Sequence, residues 1–380
     1  MKICIFTGFF LPHLGGVERY TDKIAKQLKE KGYKVIVVCS NDGNYADFEE
    51  LENCFIYRLP TYKLLNSRYP LIKRNKKFKE LIKRIEAENC DYYIFNTRFY
   101  LTSLLCAKIA KKQNKRIMVI EHGSSHFSVN NKILDFMGAK YEHFLTNKLK
   151  KYNPRFYGVS KRCNSWLKHF NITASGVFYN SVDEDVFEKF CKSKYKRTFK
   201  NKIVISYVGR IIKEKGILLL LDAFVELQKK YTNIALVIAG DGPLLQEIKS
   251  KYNTKDIYFE GKLDYNDVMA LYNTTDIFVN PSMYPEGLPT SILEAGIMKC
   301  AIVATDRGGT TEVINNKKYG IIIEENIDSL KKALVELIDS PNKIAQMKTD
   351  IHNRIKNNFT WKITAEKLIE ELNKKNEGKN

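Results

Sequence analysis

The segment Ile203-Val204-Ile205-Ser206-Tyr207-Val208-Gly209-Arg210-Ile211-Ile212-Lys213-Glu214-Lys215-Gly216 decides how this 380-residue chain folds. Its first six residues are mostly β-branched and apolar and run into a glycine, which reads as a strand buried on both faces. A loop with two cations between glycines follows, and apolar residues at helical spacing resume at Ile217. Strand, short loop and helix in this order are the repeating half of a parallel βαβ unit.

The same alternation continues downstream. Ile234 to Ala239, Ile257 to Glu260, Ile277 to Val279 and Ala301 to Ala304 are short strand-like runs separated by helical patterns. Upstream, Phe187 to Lys202 has little hydrophobic pattern and carries seven Lys or Arg, the composition of a domain boundary. Before it the alternation is already present: Ile3 to Phe6, Val35 to Cys39, Tyr92 to Phe95, Ile117 to Ile120 and Phe156 to Val159. Between the first two, Val17, Tyr20, Ile24 and Leu28 line one helix face, and Gly32 closes it. The sequence therefore predicts an α/β chain of two doubly wound, Rossmann-like domains, 1–183 and 184–360, facing across a cleft. A last helix at about 361–376, reached through a linker holding Trp361, is expected to pack back on the first domain. Ligands of such sheets bind beyond the carboxyl ends of the strands, so the strand-end loops carry the chemistry.

Hydrophobic residues make up 44% and charged residues 28%, which excludes disorder and fibrous repeats. No run of about 18 apolar residues exists to span a bilayer. Lys2 followed by Ile3 to Leu14 resembles the start of a signal peptide, but Pro12 interrupts it and no small-x-small cleavage site follows. The eight cysteines include no CxxC pair, which points to buried thiols in a reducing cytosol rather than a zinc site or disulfide framework. Net charge is +20, of which +16 falls in residues 1–183 and +4 in the rest. It is densest from Lys73, Arg74, Lys76 and Lys77 to Lys83-Arg84, where Leu71, Ile72, Phe78, Leu81, Ile82 and Ile85 recur among the cations. A basic amphipathic helix of this kind suits an anionic membrane surface; the alternative is a solvated helix.

Four loops stand out. Gly8 to Gly16 follows the first strand, and Gly15-Gly16 opens a helix whose amides and dipole suit a phosphate, although glycines also simply make turns. Arg210 and Lys215 can clamp a diphosphate from two sides, the first as a planar fork and the second as a point charge. Gly240-Asp241-Gly242-Pro243 is a glycine turn that shapes the cleft. In Pro285-Glu286-Gly287-Leu288-Pro289-Thr290-Ser291-Ile292-Leu293-Glu294-Ala295, prolines and glycine hold Glu286 in an irregular loop. Thr290 or Ser291 is placed to cap the next helix, and Glu294 falls in that helix's first turns.

Together these residues resemble glycosyltransferase family 4, retaining enzymes of the GT-B class. Pro12 and Gly15-Gly16 look like that family's first loop, Gly209-Arg210 with Lys215-Gly216 its diphosphate clamp, and Glu286 to Glu294 its paired-glutamate motif. Gly240 to Pro243 resembles its glycine turn, and Gly308-Gly309-Thr310-Thr311-Glu312 its final loop. Thr311 stands where proline is usual, and Ser181 after Asn180 where the hinge normally has glycine. The resemblance implies that Glu286 bonds donor-sugar hydroxyls, that Glu294 bonds the ribose, and that Arg210 and Lys215 neutralise the diphosphate. Amides of Gly287 and Leu288 would meet the sugar, those of Thr290 and Ser291 the phosphate. His122, in Glu121-His122-Gly123-Ser124, matches a histidine that touches the sugar; without the family it reads as an ordinary strand-end histidine. Gly15, Gly16, Gly209 and Gly240 complete the donor-binding set.

The resemblance further implies a nucleotide-sugar donor, a UDP-sugar foremost, and front-face transfer with retained configuration. The acceptor would be a saccharide or lipid-linked saccharide in bacterial surface polysaccharide synthesis, on the inner face of the cytoplasmic membrane. The cleft loops hold no Asp-x-Asp pair, so the cations are expected to take a metal's part and no cofactor is expected. Two rival readings remain. A nucleic-acid-binding protein would explain the charge but not the loops, and the basic run carries aliphatics rather than interleaved aromatics. A sugar epimerase or phosphorylase could share the fold, though no loop lysine suggests itself for pyridoxal phosphate.

Overall fold

In the computed structural model, residues 1–13, 15–64, 69–128 and 131–374 are described. The chain divides into two compact units: one holds residues 1–180 with the segment from Trp361 onward, the other Ser181–Thr360.

The first unit is built on β1 (Lys2–Phe6), β2 (Lys34–Asn41), β3 (Phe48–Glu50), β4 (Phe55–Leu64), β5 (Tyr69–Ile72), β6 (Tyr92–Asn96), β7 (Arg116–Glu121), β8 (Arg155–Gly158) and β9 (Gly176–Val177). Their order across the sheet is β3-β4-β2-β1-β6-β7-β8-β9, with β5 paired to β4, and only the β3 and β5 pairings are antiparallel. Five helices intervene: α1 (Gly16–Glu30), α2 (Lys76–Ala87), α3 (Leu101–Lys112), α4 (Lys132–Lys150) and α5 (Lys161–Leu167). Because successive strand residues face opposite ways, each strand feeds two cores. Ile3, Ile5, Val35, Val37, Ile94 and Met118 pack beneath Tyr20, Ile24 and Leu28 of α1. Cys4, Phe6, Ile36, Val38, Tyr93 and Phe95 pack beneath Leu81 and Ile85 of α2 and Cys106 and Ile109 of α3.

The second unit has an all-parallel sheet of β10 (Ile203–Val208), β11 (Ile234–Ala239), β12 (Ile257–Gly261), β13 (Ile277–Asn280), β14 (Ala301–Thr305) and β15 (Ile321–Ile323). Their order is β12-β11-β10-β13-β14-β15. It is covered by α6 (Val186–Phe190), α7 (Ile217–Gln228), α8 (Leu245–Lys251), α9 (Tyr265–Thr274), α10 (Thr290–Ile297), α11 (Thr310–Val313), α12 (Ile327–Ile338) and α13 (Pro341–Asn358). The last helix among the described residues is α14 (Trp361–Asn373), whose Trp361, Ala365, Leu368 and Leu372 join the core of the first unit beside α1. In each sheet the strand order reverses once, between β1 and β6 and between β10 and β13. Those are the switch points where a doubly wound sheet opens a crevice.

Three sequence expectations are corrected here. The unit boundary falls after Asn180 rather than Asp183, because Val182 pairs with Thr360 and its amide donates to Phe359 O. Trp361 is not in a linker: it starts α14 and is buried. The apolar residues of the basic run do not face solvent. Leu71 and Ile72 belong to β5, the helix begins only at Lys76, and its Leu81 and Ile85 are spent on the core. All eight cysteines are free thiols, and all but Cys191 are buried.

Candidate active site

At the carboxyl ends of the second sheet's strands, Gly209 and Arg210 leave the end of β10 and Gly240 and Asp241 the end of β11. With Lys262 after β12 they line a cavity of about 380 Å³. Its floor needs glycine at 240: φ is +148°, and a Cβ there would stand 1.8 Å from Gly209 O. Arg210 is exposed, while its carbonyl accepts from Tyr207 Oη at 2.8 Å, which fixes the loop.

Lys215 ends a single 3₁₀ turn, Lys213–Lys215, just before α7. Its ammonium forms an ion pair with Glu286 Oε1 and lies 5.3 Å from the Tyr284 ring centroid. Glu286 sits in the loop between β13 and α10, where Ser282 Oγ also donates to its Oε1 at 3.2 Å. The loop is braced from behind: Gly309 N donates to Gly287 O at 2.8 Å and Met283 N to Glu214 O at 2.8 Å. Gly308, at φ +58°, lies so close that a Cβ would come within 2.7 Å of the Glu286 backbone and Cβ.

Neither Thr290 nor Ser291 caps α10, as the sequence suggested. The N-cap is Pro289, with no side-chain cap, so Thr290 and Ser291 are the first two helical residues. Their amides fall among the first-turn donors that lack an acceptor within the helix. Leu288 is buried, and Glu294, on the second turn of α10, is buried at 6% exposure. A carboxylate so placed needs polar partners.

In the first unit, Gly15 caps α1 in extended conformation and Gly16 begins it. Glu18, in the first turn, is buried, and desolvation raises its pKa. His122 follows β7. Its Nε2 lies 2.9 Å from Asn96 Oδ1, and its ring meets the edge of Tyr20 of α1 at 4.8 Å. Asn96 Nδ2 donates to Thr21 Oγ1 at 2.7 Å, and Thr21 Oγ1 donates to Val17 O at 2.8 Å. That chain orients the amide, so Asn96 presents its oxygen and His122 Nε2 must carry the proton. The other ring nitrogen is then an acceptor. Burial lowers the His122 pKa to about 3, so the ring is neutral at physiological pH.

Beneath it runs a buried ionic network. Arg98 Nη1 donates to Glu121 Oε2 at 2.5 Å and Nη2 to Glu142 Oε2 at 2.9 Å, while Gly123 N donates to Glu121 Oε1 at 3.1 Å. The strand-end residues on both sides of His122 are thereby held. Sequence reading missed Asn96, Arg98, Ser282 and Lys262. The first two left a trace, a polar cluster Asn96-Thr97-Arg98 directly after an apolar strand. Ser282 and Lys262 left none.

The model for the glycosyl transferases group 1 matches residues 191–354, and that for Glycosyltransferase Family 4 matches residues 14–186. An uncharacterized glycosyltransferase of Methanocaldococcus jannaschii is 29% identical, covering 98% of this chain and 99% of its own. The UDP-Gal:alpha-D-GlcNAc-diphosphoundecaprenol alpha-1,3-galactosyltransferase of Escherichia coli is 26% identical over 97% of this chain and 96% of its own. Among solved structures, Anabaena HepE in complex with UDP matches 98% of this chain and 99% of its own, with a TM-score of 0.75 and 17% identity. The chain therefore belongs to the family 4 glycosyltransferases and has their GT-B fold.

Proposed function

We propose that this glycosyltransferase moves a sugar from a UDP-sugar to a lipid-linked saccharide with retention of configuration. The observation that carries the donor side is at the strand ends of the second sheet: the Gly209–Arg210–Gly240 cavity after β10 and β11, and the Lys215–Glu286 pair that joins the loops after β10 and β13. The UDP in the HepE complex and the UDP-Gal of the Escherichia coli relative support a uridine nucleotide.

In the reaction so read, the bond between the anomeric carbon and the diphosphate oxygen breaks while the acceptor oxygen bonds the same face of that carbon. The acceptor's proton passes to the departing phosphate. Arg210, Lys215 and the first amides of α10 stabilise the growing negative charge, the part a divalent metal takes elsewhere. Glu286 and the amides of Gly287 and Leu288 bind sugar hydroxyls, Glu294 binds the ribose, and His122 accepts from a sugar hydroxyl.

The lipid-linked acceptor is supported by the diphosphoundecaprenol in the name of the Escherichia coli relative and by a surface the sequence did not single out. On α4, Ile133, Phe136, Met137 and Phe144 are 72%, 61%, 61% and 53% exposed. Lys140 and Lys148 lie over the Phe136 and Phe144 rings. Apolar side chains rimmed by lysines suit an anionic bilayer surface, and Lys73, Arg74, Lys76 and Lys77 would add attraction without insertion. Lys77 is already paired with Asp47 at 2.7 Å. No helix among the described residues is long and apolar enough to cross a membrane. A panel of nucleotide sugars tested for protection against thermal unfolding checks the donor; a ligand at 100 times its Kd adds about 2.7 kcal/mol. No stabilisation by any uridine nucleotide would refute a UDP-sugar donor.

A further inference from the structure

Three of the chain's six histidines converge on one spot of the first unit. His126 comes from the loop after β7, His143 from the fourth turn of α4, and His169 from the short 3₁₀ turn Lys168–Phe170 after α5. One ring nitrogen of each lies within 4.8 Å of those of the other two. We infer that His126, His143 and His169 form a zinc site, separate from sugar transfer, that clasps α4 to the loop after β7 and to the turn after α5.

The ring geometry fits. Three imidazoles on one tetrahedral zinc, with Zn–N bonds of ~2.0–2.1 Å, hold their ring centroids roughly 5 Å apart. The observed separations are 4.9 Å for His143–His169, 5.2 Å for His126–His169 and 5.6 Å for His126–His143. His143 Nε2 and His169 Nε2 face each other at 3.1 Å, a contact that needs one proton between two lone pairs and that a metal would replace.

The surroundings fit as well. His126 Nδ1 donates to Glu142 Oε2 at 3.0 Å, which leaves Nε2 as its coordinating nitrogen. A carboxylate behind a histidine is the usual outer partner of a metal ligand, fixing ring and tautomer. Glu142 is itself held by Arg98 and by Phe127 N at 2.8 Å. Trp166 stacks on His169 at 4.8 Å and Phe170 lies 4.6 Å from His143, an apolar wall that restrains both rings. Imidazole ligands select zinc and its neighbours in the first transition row over magnesium or calcium, which take oxygen. His169 is exposed, so the fourth position is open to solvent.

The test uses the full-length protein, stripped with chelator and passed through a desalting column, then titrated with zinc chloride by calorimetry and with cobalt chloride by visible absorption. The expected result is one equivalent of zinc, tetrahedral cobalt bands, and a higher thermal midpoint with zinc. His169→Gln, on an exposed ring, and His143→Ala should each weaken binding by more than the roughly 10–100-fold typical of losing an outer partner. UDP-induced thermal stabilisation, read on the same samples, reports that the variants are folded. A wild-type protein that takes up no stoichiometric zinc would overturn the site. So would folded His169→Gln protein that binds zinc as tightly as wild type.

Discussion

The Lys215 ammonium is ion-paired with the Glu286 carboxylate across 71 residues of sequence. A proposed phosphate-binding cation and a proposed sugar-binding carboxylate thus neutralise each other, and Ser282 supports the same carboxylate oxygen. The pair orders a loop held between prolines and glycines.

Coupling between the two is the first expectation. Lys215→Ala and Glu286→Gln should each lower kcat more than they raise the donor KM, because the diphosphate gains charge as the bond breaks. The double variant should lose clearly less than the product of the single losses, since contacting residues couple by about 0.5–3 kcal/mol. Arg210→Ala, which lacks that partner, should combine multiplicatively with Glu286→Gln. Steady-state kinetics of the six proteins decides it; effects confined to KM would reduce the pair to ground-state binding.

Glu294→Gln should weaken UDP itself as much as the whole donor. A charge-assisted hydrogen bond is worth about 1.5–3 kcal/mol, so a tenfold or larger rise in Kd is expected by calorimetry. Unchanged affinity would remove Glu294 from the nucleotide site.

His122 should leave no limb in the pH–rate profile between pH 5 and 8, since its pKa is lowered to about 3. The linkage has a definite sign. Below about pH 6.5 the unfolded chain takes up a proton that the folded ring refuses, so this residue's contribution erodes stability as pH falls toward 3. His122→Asn should therefore flatten the acid side of the stability curve, measured by urea unfolding. Asn96→Asp should restore a titrating histidine by placing a carboxylate at Nε2; an unshifted His122 resonance would refute the relay.

Phe136→Glu with Met137→Glu should release the protein from anionic vesicles in sedimentation, while UDP binding stays intact. Reversing Lys73, Arg74, Lys76 and Lys77 to Glu should weaken binding mainly at low salt, because surface attraction fades within a Debye length of ~10 Å at 0.1 M. If both sets sediment as wild type does, the α4 face and the lysines are merely solvated and the lipid-linked acceptor loses its structural support.

Excess EDTA should leave transfer unchanged well below the thermal midpoint, since cations of the chain are proposed to hold the diphosphate. Activity abolished by EDTA and restored by magnesium or manganese would contradict this.

The alternation of continuous apolar runs with helical patterns made both sheets legible, because parallel strands covered on both faces leave no polar side to blur the signal. The glycine loops were legible for a related reason: where backbone approaches backbone, as Gly240 does Gly209 O, only glycine fits. The amphipathic run from Leu71 to Ile85 misled, since core-facing and membrane-facing helices share one period. Residues 71 and 72 proved to be strand, and Leu81 and Ile85 to be core.

The sequence by itself determined the class of fold, the family and the strand-end loops that carry the proposed donor-binding residues. Each is written in residues close together along the chain, where periodicity and glycine spacing act. Tertiary structure alone decided the pairing of Lys215 with Glu286, the relay from Thr21 through Asn96 to His122, and the meeting of His126, His143 and His169. It also decided that α4 would leave its phenylalanines outside. Those relationships join residues tens of positions apart, and a hydrogen bond or ion pair depends on distances of about 3 Å that composition and spacing do not encode.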